Sequence, residues 1–274
     1  MTMNRILLID LNWTYNRFYY IMTQQGHSDT ATATNRGVLE FFTRIQRTHQ
    51  FSKVFVLADG RHPRTVLENE GYKANRANKS TVYCKLDEFC KACASIPNTV
   101  VLQNDQAEAD ELIAYICAKH HEHARITIYS GDKDLLQLAV YPSVWFSNSY
   151  KQGHFHELTC EEVLKKFGTK KEHINRYEDI LIYKVLRGDL SDNIPPPIQR
   201  LQFKKIQLFL DKLVGSPLMS RGSFKYAVEQ IQKEDKKFAQ QLLEKEEEIF
   251  RNYKLMSLVD FAGKEYIKEG VKKW

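Results

Sequence analysis

Five short apolar runs punctuate the first half of the chain: Arg5–Ile9, Val54–Ala58, Thr99–Leu102, Arg125–Tyr129 and Val144–Phe146. They are rich in Val, Ile and Leu and show little polar alternation. A strand with one wet face alternates; a strand covered on both faces does not, so these runs predict buried strands of a parallel sheet. Between them the period changes to that of a helix, notably over Gly37–Thr48 and Ala107–Lys119. Strand alternating with helix predicts a doubly wound α/β domain over residues 1–155. From 156 to 274 the pattern is helical. Thr159 with Glu162 has the form of a capping box for a helix reaching Phe167. Further helices are expected at Tyr177–Leu186, Gln202–Leu213 and Phe224–Tyr253.

Polar positions at the ends of the apolar runs carry the chemistry. Asp10 ends the first strand, Asp59 ends the second, and Asp132 and Asp134 follow the fourth. Glu108, Asp110 and Glu111 open the helix after the third, and Glu108 and Glu111, three apart, share a face. Asp189 and Asp192, with the same spacing, come from the helical part and are expected to close the site from the side. In an open parallel sheet, ligands bind beyond the carboxyl ends of the strands. Any one of these acids reads equally as a helix cap or a turn residue. Nine of them in this order do not, because converging carboxylates repel unless a cation lies among them. Mg²⁺, with Mn²⁺ as its substitute, suits an all-oxygen set. Two such ions roughly 3.5–4 Å apart are a common apparatus for phosphodiester hydrolysis.

Composition sharpens this picture. The 274 residues hold 40 Lys and Arg against 34 Asp and Glu, a net charge of +6. Setting the nine acids aside leaves 25 acids against the same 40 basic residues, a basic body around an acidic pocket. That balance suits a polyanionic substrate. No apolar stretch is long enough for a membrane span and no signal-peptide pattern opens the chain, so a cytoplasmic protein without membrane partners is expected. Five irregularly spaced cysteines argue against a disulfide framework. Cys90 and Cys93 form a lone Cys-x-x-Cys at helical spacing, which reads as packing. The His120–His123 run ends a helix, where histidine suits the dipole, and Glu244–Glu248 reads as a solvated helix face.

The acidic motifs, quoted in order, are Leu7-Leu8-Ile9-Asp10, Val56-Leu57-Ala58-Asp59-Gly60, Glu108-Ala109-Asp110-Glu111-Leu112, Ser130-Gly131-Asp132-Lys133-Asp134-Leu135 and Gly188-Asp189-Leu190-Ser191-Asp192-Asn193-Ile194-Pro195. They resemble the 5′-nuclease superfamily, the flap endonucleases and 5′→3′ exonucleases with a PIN-like core. Tyr72-Lys73-Ala74-Asn75-Arg76, the stretch Lys184–Asp189 and the tail Tyr253–Phe261 are similar to the branch that holds the ribonuclease H of T-even bacteriophages, which implies a phage-type enzyme acting in the host cytoplasm. The resemblance implies a Mg²⁺-dependent, structure-specific 5′ nuclease that removes RNA primers and 5′ flaps in DNA replication and repair.

It also assigns roles. The nine acids would hold two metals, with Asp189, Asp192 and Glu111 acting through water. Residues 61–95 would form an arch or bridge over the site. There Lys73 and Arg76 match residues at the scissile phosphate, while Arg61, Arg64 and Lys79 would bind nucleic acid and Tyr72 would stack on a terminal base. The substrates implied are branched or nicked duplex DNA and RNA–DNA hybrid with a 5′ end, bound by a monomer. A single-stranded-DNA-binding protein and a sliding clamp are implied partners, though no motif fixes either contact. In one place the chain departs from the pattern. Flap nucleases follow the last motif with a Gly-Ile-Gly hairpin that grips duplex backbone, often through K⁺; here Pro196-Pro197-Ile198-Gln199-Arg200 follows, without glycine. That argues against a K⁺ site and leaves Arg200, Lys204 and Lys205 as phosphate contacts.

Other readings are an inert DNA-binding replisome scaffold, a PIN-domain endoribonuclease and an Asp-x-Asp phosphatase. Idle acidic clusters would cost the first stability without return. The second needs about four acids and rarely carries a pair such as Asp189 and Asp192. The third places its motif at the first strand.

Overall fold

A computed structural model of the chain describes residues 4–48, 50–60, 71–74, 86–159, 161–163, 179–213, 219–259 and 271–273. Two compact units emerge. One comprises 1–68, 77–160 and 258–274; the other comprises 69–76 and 161–257.

The first unit is built on a sheet whose strands are β1 (Asn4–Asp10), β2 (Lys53–Ala58), β3 (Thr99–Asn104), β4 (Ala124–Tyr129) and β5 (Val144–Ser147). These five are mutually parallel, in the order β5-β4-β1-β2-β3. All five expected strands are present, each one or two residues longer than its apolar run. Leu7, Leu8 and Ile9 of β1 are fully buried, which is why β1 shows no alternation: both its faces are covered.

The expected helices Gly37–Thr48 and Ala107–Lys119 are found as α2 (Thr30–Arg47) and α4 (Ala109–His120). Two more, α1 (Leu11–Gln24) and α3 (Leu86–Ala94), have weaker sequence patterns. Phe41, Phe42 and Ile45 of α2, Tyr15 of α1, and Phe89, Cys90 and Cys93 of α3 pack against Leu7, Ile9, Val54, Val56 and Val101 of the sheet. The Cys-x-x-Cys pair is thus two buried thiols in a core, and burial raises the Cys93 thiol far above its usual range. Helix α4 packs across β1, β2, β3 and β4. At the lower end of the sheet, Glu157 accepts from Arg5 at 3.0 Å and from Arg125 and Thr127, tying β1 to β4. A two-stranded hairpin, β6 (Tyr150–Lys151) and β7 (His154–Phe155), follows β5.

The division at residue 155 changes in two respects. A short strand, β8 (Val271–Lys273), returns to the first unit and pairs antiparallel with β3. Residues 69–76, although they follow β2 in sequence, belong to the helical unit.

In the second unit, the expected helices Tyr177–Leu186 and Gln202–Leu213 are found as α5 (Asp179–Arg187) and α6 (Phe203–Lys212). The helix expected from Thr159 lies mostly outside the described residues, although 161–163 are helical. The single helix expected over Phe224–Tyr253 is three: α7 (Arg221–Gln232), α8 (Lys236–Glu244) and α9 (Glu246–Met256). Asp235 forces the first break by accepting the Phe238 N–H at 2.9 Å as an N-cap. Lys245 makes the second, with φ −109° and ψ 12°. The folding back lets Phe209, Phe224, Phe238 and Ile249 all become fully buried, which one straight rod of that length could not do. Glu246, Glu247 and Glu248 occupy the first turn of α9, where the helix dipole favours them. The first two receive Arg221 at 2.7 Å, so this acidic run is a clamp between α7 and α9 as well as a wet surface.

Gly60 is required by packing. A Cβ on Gly60 would lie 2.2 Å from the Asn104 carbonyl oxygen, 2.6 Å from that of Asp105 and 2.7 Å from that of Ala107. The Gly60 N–H donates to the Ala107 carbonyl at 2.8 Å, so the end of β2 is seated against the turn that begins α4. Gly60→Ala should lower unfolding free energy by about 2–3 kcal/mol, an overpacking cost with no flexible neighbour to yield. Urea denaturation checks this, and a loss below 0.5 kcal/mol would contradict the close approach.

Candidate active site

In the order β5-β4-β1-β2-β3 the chain reverses direction between β1 and β4, the switch point where open α/β sheets bind ligands. Asp10, the last residue of β1, stands there. It is also the N-cap of α1, taking the Trp13 N–H on Oδ1 at 3.0 Å. Its other oxygen takes the Ser130 hydroxyl at 2.8 Å from the loop after β4. That loop continues tightly: the Asp132 N–H donates to Ser130 Oγ at 3.1 Å, and the Asp134 N–H donates to Asp132 Oδ1 at 2.9 Å. Asp134 then opens a 3₁₀ helix over Asp134–Val140.

On the other side, Asp59 follows β2. Its Oδ1 accepts the Ala109 N–H at 2.8 Å, in the first turn of α4, and its Oδ2 accepts from the Asn12 amide. Glu108 is the N-cap of α4 and is buried, while Asp110 is half-buried and accepts the Glu111 N–H at 2.8 Å. Glu111 is turned inward, 1% exposed, and accepts the Glu108 N–H at 2.8 Å. Glu111 thus fills the second place of a capping box with Glu108.

Electrostatics follow from this crowding. Burial, followed by repulsion from Asp59 and Asp132, raises Asp10 from 3.8 to about 7, although the Trp13 N–H and the Ser130 hydroxyl pull it down. Asp59 and Asp132 are thus each within electrostatic range of Asp10. The donors they offer are hard carboxylate oxygens, which fit Mg²⁺ or Mn²⁺ and not a soft metal.

The second unit holds the other acid pair. Gly188, at φ +70°, leads into Asp189. Asp189 and Ile194 exchange both backbone hydrogen bonds at 2.8 Å and close a turn. Burial works to raise Asp189, but the Ser191 hydroxyl at 2.5 Å and Lys184 at 3.0 Å hold it below the usual carboxylate range. Asp192 is buried. Lys73 meets this turn directly: its N–H donates to the Asp192 carbonyl at 2.9 Å, and its ammonium lies 4.0 Å from Asp192 Oδ2. The Asn193 amide donates to the Gly71 carbonyl at 2.6 Å.

Tyr72 is buried, with the Lys73 ammonium 4.9 Å from its ring centre. Arg200 and Lys204 are exposed, and Arg200 takes the left-handed φ of 54° that glycine would favour. Lys205 pairs with Asp235 at 3.1 Å and lies over Phe238, a structural engagement that sequence did not suggest. Arg61, Arg64, Arg76 and Lys79 lie outside the described residues.

Neutral groups escaped the sequence reading. Asn12, Trp13 and Ser130 hold the acids, and only their place within two or three residues of Asp10 and Asp132 could have signalled it. Asn252 on α9 is fully buried and donates to the Pro195 carbonyl at 2.9 Å, bracing the Asp189 turn from behind. It lies 60 residues from that turn in sequence and gives no local signal.

Comparison with known proteins agrees with this geometry. The family described as the 5′-3′ exonuclease N-terminal resolvase-like domain matches residues 5–168. A 5′-3′ exonuclease of Aquifex aeolicus is 34% identical over 167 residues, 60% of this chain and 50% of that protein. One of Mycoplasmopsis pulmonis is 26% identical over 238 residues, 80% of this chain and 73% of that protein. DNA polymerase I of Mycobacterium leprae is 26% identical over 201 residues; these are 69% of this chain and only 21% of the polymerase. The chain thus spans about a fifth of the length of that relative. Among solved structures, the bacteriophage T5 flap endonuclease in complex with DNA and metal ions superposes with TM-score 0.64 at 20% identity, over 97% of this chain and 96% of that one. The likeness shows the fold alone.

Asp10 gives a pH prediction for the metal-free chain. Its folded value lies above its unfolded value, so below about pH 4 it is protonated in both states and costs nothing. Between about pH 4 and pH 7 the unfolded chain has released this proton while the folded state still holds it, so stability falls by up to about 4 kcal/mol and levels off above pH 7. Asp10→Asn keeps the cap and removes the charge. In EDTA the variant should be more stable than wild type at pH 8, and the gap should close towards pH 4. A gap that does not change with pH would show that Asp10 is not strained by its neighbours.

Proposed function

This chain belongs to the 5′-3′ exonuclease family, and from that premise we propose that it is a metal-dependent nuclease acting near the 5′ end of branched or nicked duplex DNA and of RNA–DNA hybrid. The observation that carries the proposal is the gathering of Asp59 and Asp132 about Asp10 at the switch point of the sheet, with Asp10 raised first by burial and then by these acidic neighbours. Two bound divalent cations, Mg²⁺ by preference, would supply an acidified water and stabilisation for the leaving oxygen. Asp10, Asp59, Glu108, Asp110, Asp132 and Asp134 are the residues proposed to hold the tighter ion. Asp189 and Asp192 are proposed to serve the second through water, and the Ser191 and Lys184 contacts keep Asp189 ionised for that purpose.

Hydrolysis adds a water oxygen to phosphorus and breaks the bond to the 3′ oxygen, which leaves as a hydroxyl and places the phosphate on the 5′ end. The ammonium of Lys73 is proposed to neutralise the scissile phosphate as charge builds on it. Its ammonium lies 4.0 Å from Asp192 Oδ2, beside an anionic group. Arg76 is proposed to share that task, Arg61, Arg64 and Lys79 to guide the 5′ strand, and exposed Arg200 and Lys204 to hold duplex phosphates without reading sequence. No described helix is long and apolar enough to cross a membrane.

The test uses 5′-labelled flap, nicked duplex and RNA–DNA hybrid with Mg²⁺ or EDTA. Cleavage should require the metal and leave a 5′-phosphate. Asp132→Asn should lower turnover by at least 100-fold while retaining flap binding. Cleavage that persists in EDTA or in Asp132→Asn would sink the proposal. Lys73→Ala should lower kcat by about 10²–10³-fold, the usual range for one electrostatic stabiliser, with KM changed less than threefold. A change confined to KM would reduce Lys73 to a binding contact.

A further inference from the structure

We propose that Ser130 is a positioning residue that sets the spacing of Asp10 and Asp132 for a divalent cation; this rests on the metal-dependent reading above. Its hydroxyl spends both its capacities on the site. It donates to Asp10 Oδ2 at 2.8 Å and accepts the Asp132 N–H at 3.1 Å. One oxygen atom thus joins the acid that ends β1 to the loop that follows β4, across the switch point of the sheet.

The rest of the neighbourhood leaves this link little slack. The Trp13 N–H pins the other oxygen of Asp10 at 3.0 Å. With one bond the carboxylate could still swing about its last torsion; with two, on different oxygens, it cannot. On the Asp132 side, the Asp134 N–H holds Oδ1 at 2.9 Å. Between them, Gly131 sits against the Trp13 indole so closely that a Cβ would fall 2.5–2.7 Å from three ring atoms. Trp13 is itself braced edge-on by Tyr129, centroids 5.3 Å apart, and the Arg17 guanidinium lies 5.2 Å from the centre of its ring. The loop therefore cannot shift to compensate if the hydroxyl is lost. Groups that orient metal-ligating carboxylates typically change metal affinity by about 10–100-fold when removed.

Three variants of the full chain test this: Ser130→Ala, Ser130→Thr and Ser130→Cys. Mn²⁺ is titrated into each metal-free protein by calorimetry, and cleavage of a 5′ flap is measured against Mg²⁺ concentration. Ser130→Ala should weaken the tighter Mn²⁺ site by about 10-fold or more and raise the half-saturating Mg²⁺ concentration by a similar factor, with KM for the flap within twofold of wild type. Ser130→Thr keeps the hydroxyl and should restore both. Ser130→Cys, close in size but a weak donor, should behave as alanine does and gives the same reading if the alanine variant does not fold. A purely structural role would lower the melting temperature in EDTA and leave Mn²⁺ affinity unchanged, and that outcome overturns the proposal. So does a threonine variant as impaired in Mn²⁺ binding as alanine. If wild type binds Mn²⁺ yet cuts nothing, the nuclease reading fails while the calorimetric comparison still decides the role of Ser130. If wild type binds no Mn²⁺, both fail.

Discussion

Carboxylates of like charge held together at the buried edge of a sheet are the constraint around which the first unit is organised. Asp10 is 9% exposed and faces Asp59 and Asp132, so each added negative charge raises the cost of the others. Neutral dipoles meet part of that cost. The Trp13 N–H, the Ala109 N–H, the Asn12 amide and the Ser130 hydroxyl all point at carboxylate oxygens. Two of the donors, Trp13 and Ala109, are backbone N–H groups in first helical turns, where amides lack intrahelical partners and the dipole favours an anion. The helices that follow β1 and β3 therefore both cover the sheet and solvate its acids. Dipoles orient a carboxylate without cancelling its charge, and so Asp10 stays strained until a cation arrives.

The helical unit meets the same problem in the opposite way. Asp189 has Lys184 at 3.0 Å, and Asp192 has Lys73 at 4.0 Å. The Ser191 hydroxyl at 2.5 Å and the Lys184 ammonium together offset the burial of Asp189, which is lowered where Asp10 is raised. A carboxylate raised in the absence of metal gains most from a bound divalent ion. One already paired with an ammonium gains less, since the ion must compete with a lysine. The two acid sets are thus unequal in a physical sense.

How much of this was legible depended on whether the signal was local. The five parallel strands were, because burial on both faces leaves a short uninterrupted apolar run rich in β-branched residues. The acids at the strand ends were too, since a strand boundary and a charge coincide. Helix α1 was not: Asn16-Arg17-Phe18-Tyr19-Tyr20 mixes exposed aromatics with polar residues and blurs the helical period. Strand β8 was hidden because two of its three residues are lysines, and only its pairing with β3 makes it a strand. The three-helix tail read as one helix because Asp235 and Lys245 are tolerable within a helix, and the need to bury Phe224 and Phe238 against each other's neighbours is a tertiary demand. The supports of the site, Ser130, Asn12 and Asn252, were missed for a related reason. They are neutral, and their work is defined by what they touch.

Lys73 shows most clearly what spacing along a chain cannot say. In sequence it lies 14 residues after Asp59, in a basic stretch that would naturally be assigned to the strand from which it emerges. In space its backbone N–H bonds to the Asp192 carbonyl, while the Asn193 amide holds the Gly71 carbonyl beside it. Positive φ at Gly71 (85°), Lys73 (55°) and Asn193 (58°) marks both partners of this contact as tight turns. Such conformations cost a non-glycine residue about 1 kcal/mol or more and persist only where the surroundings enforce them. The lysine proposed to meet the phosphate is therefore fixed to the acid turn rather than left on a free loop. Its position and the position of Asp192 are one structural variable, so any movement that reorients the carboxylate also carries the ammonium with it.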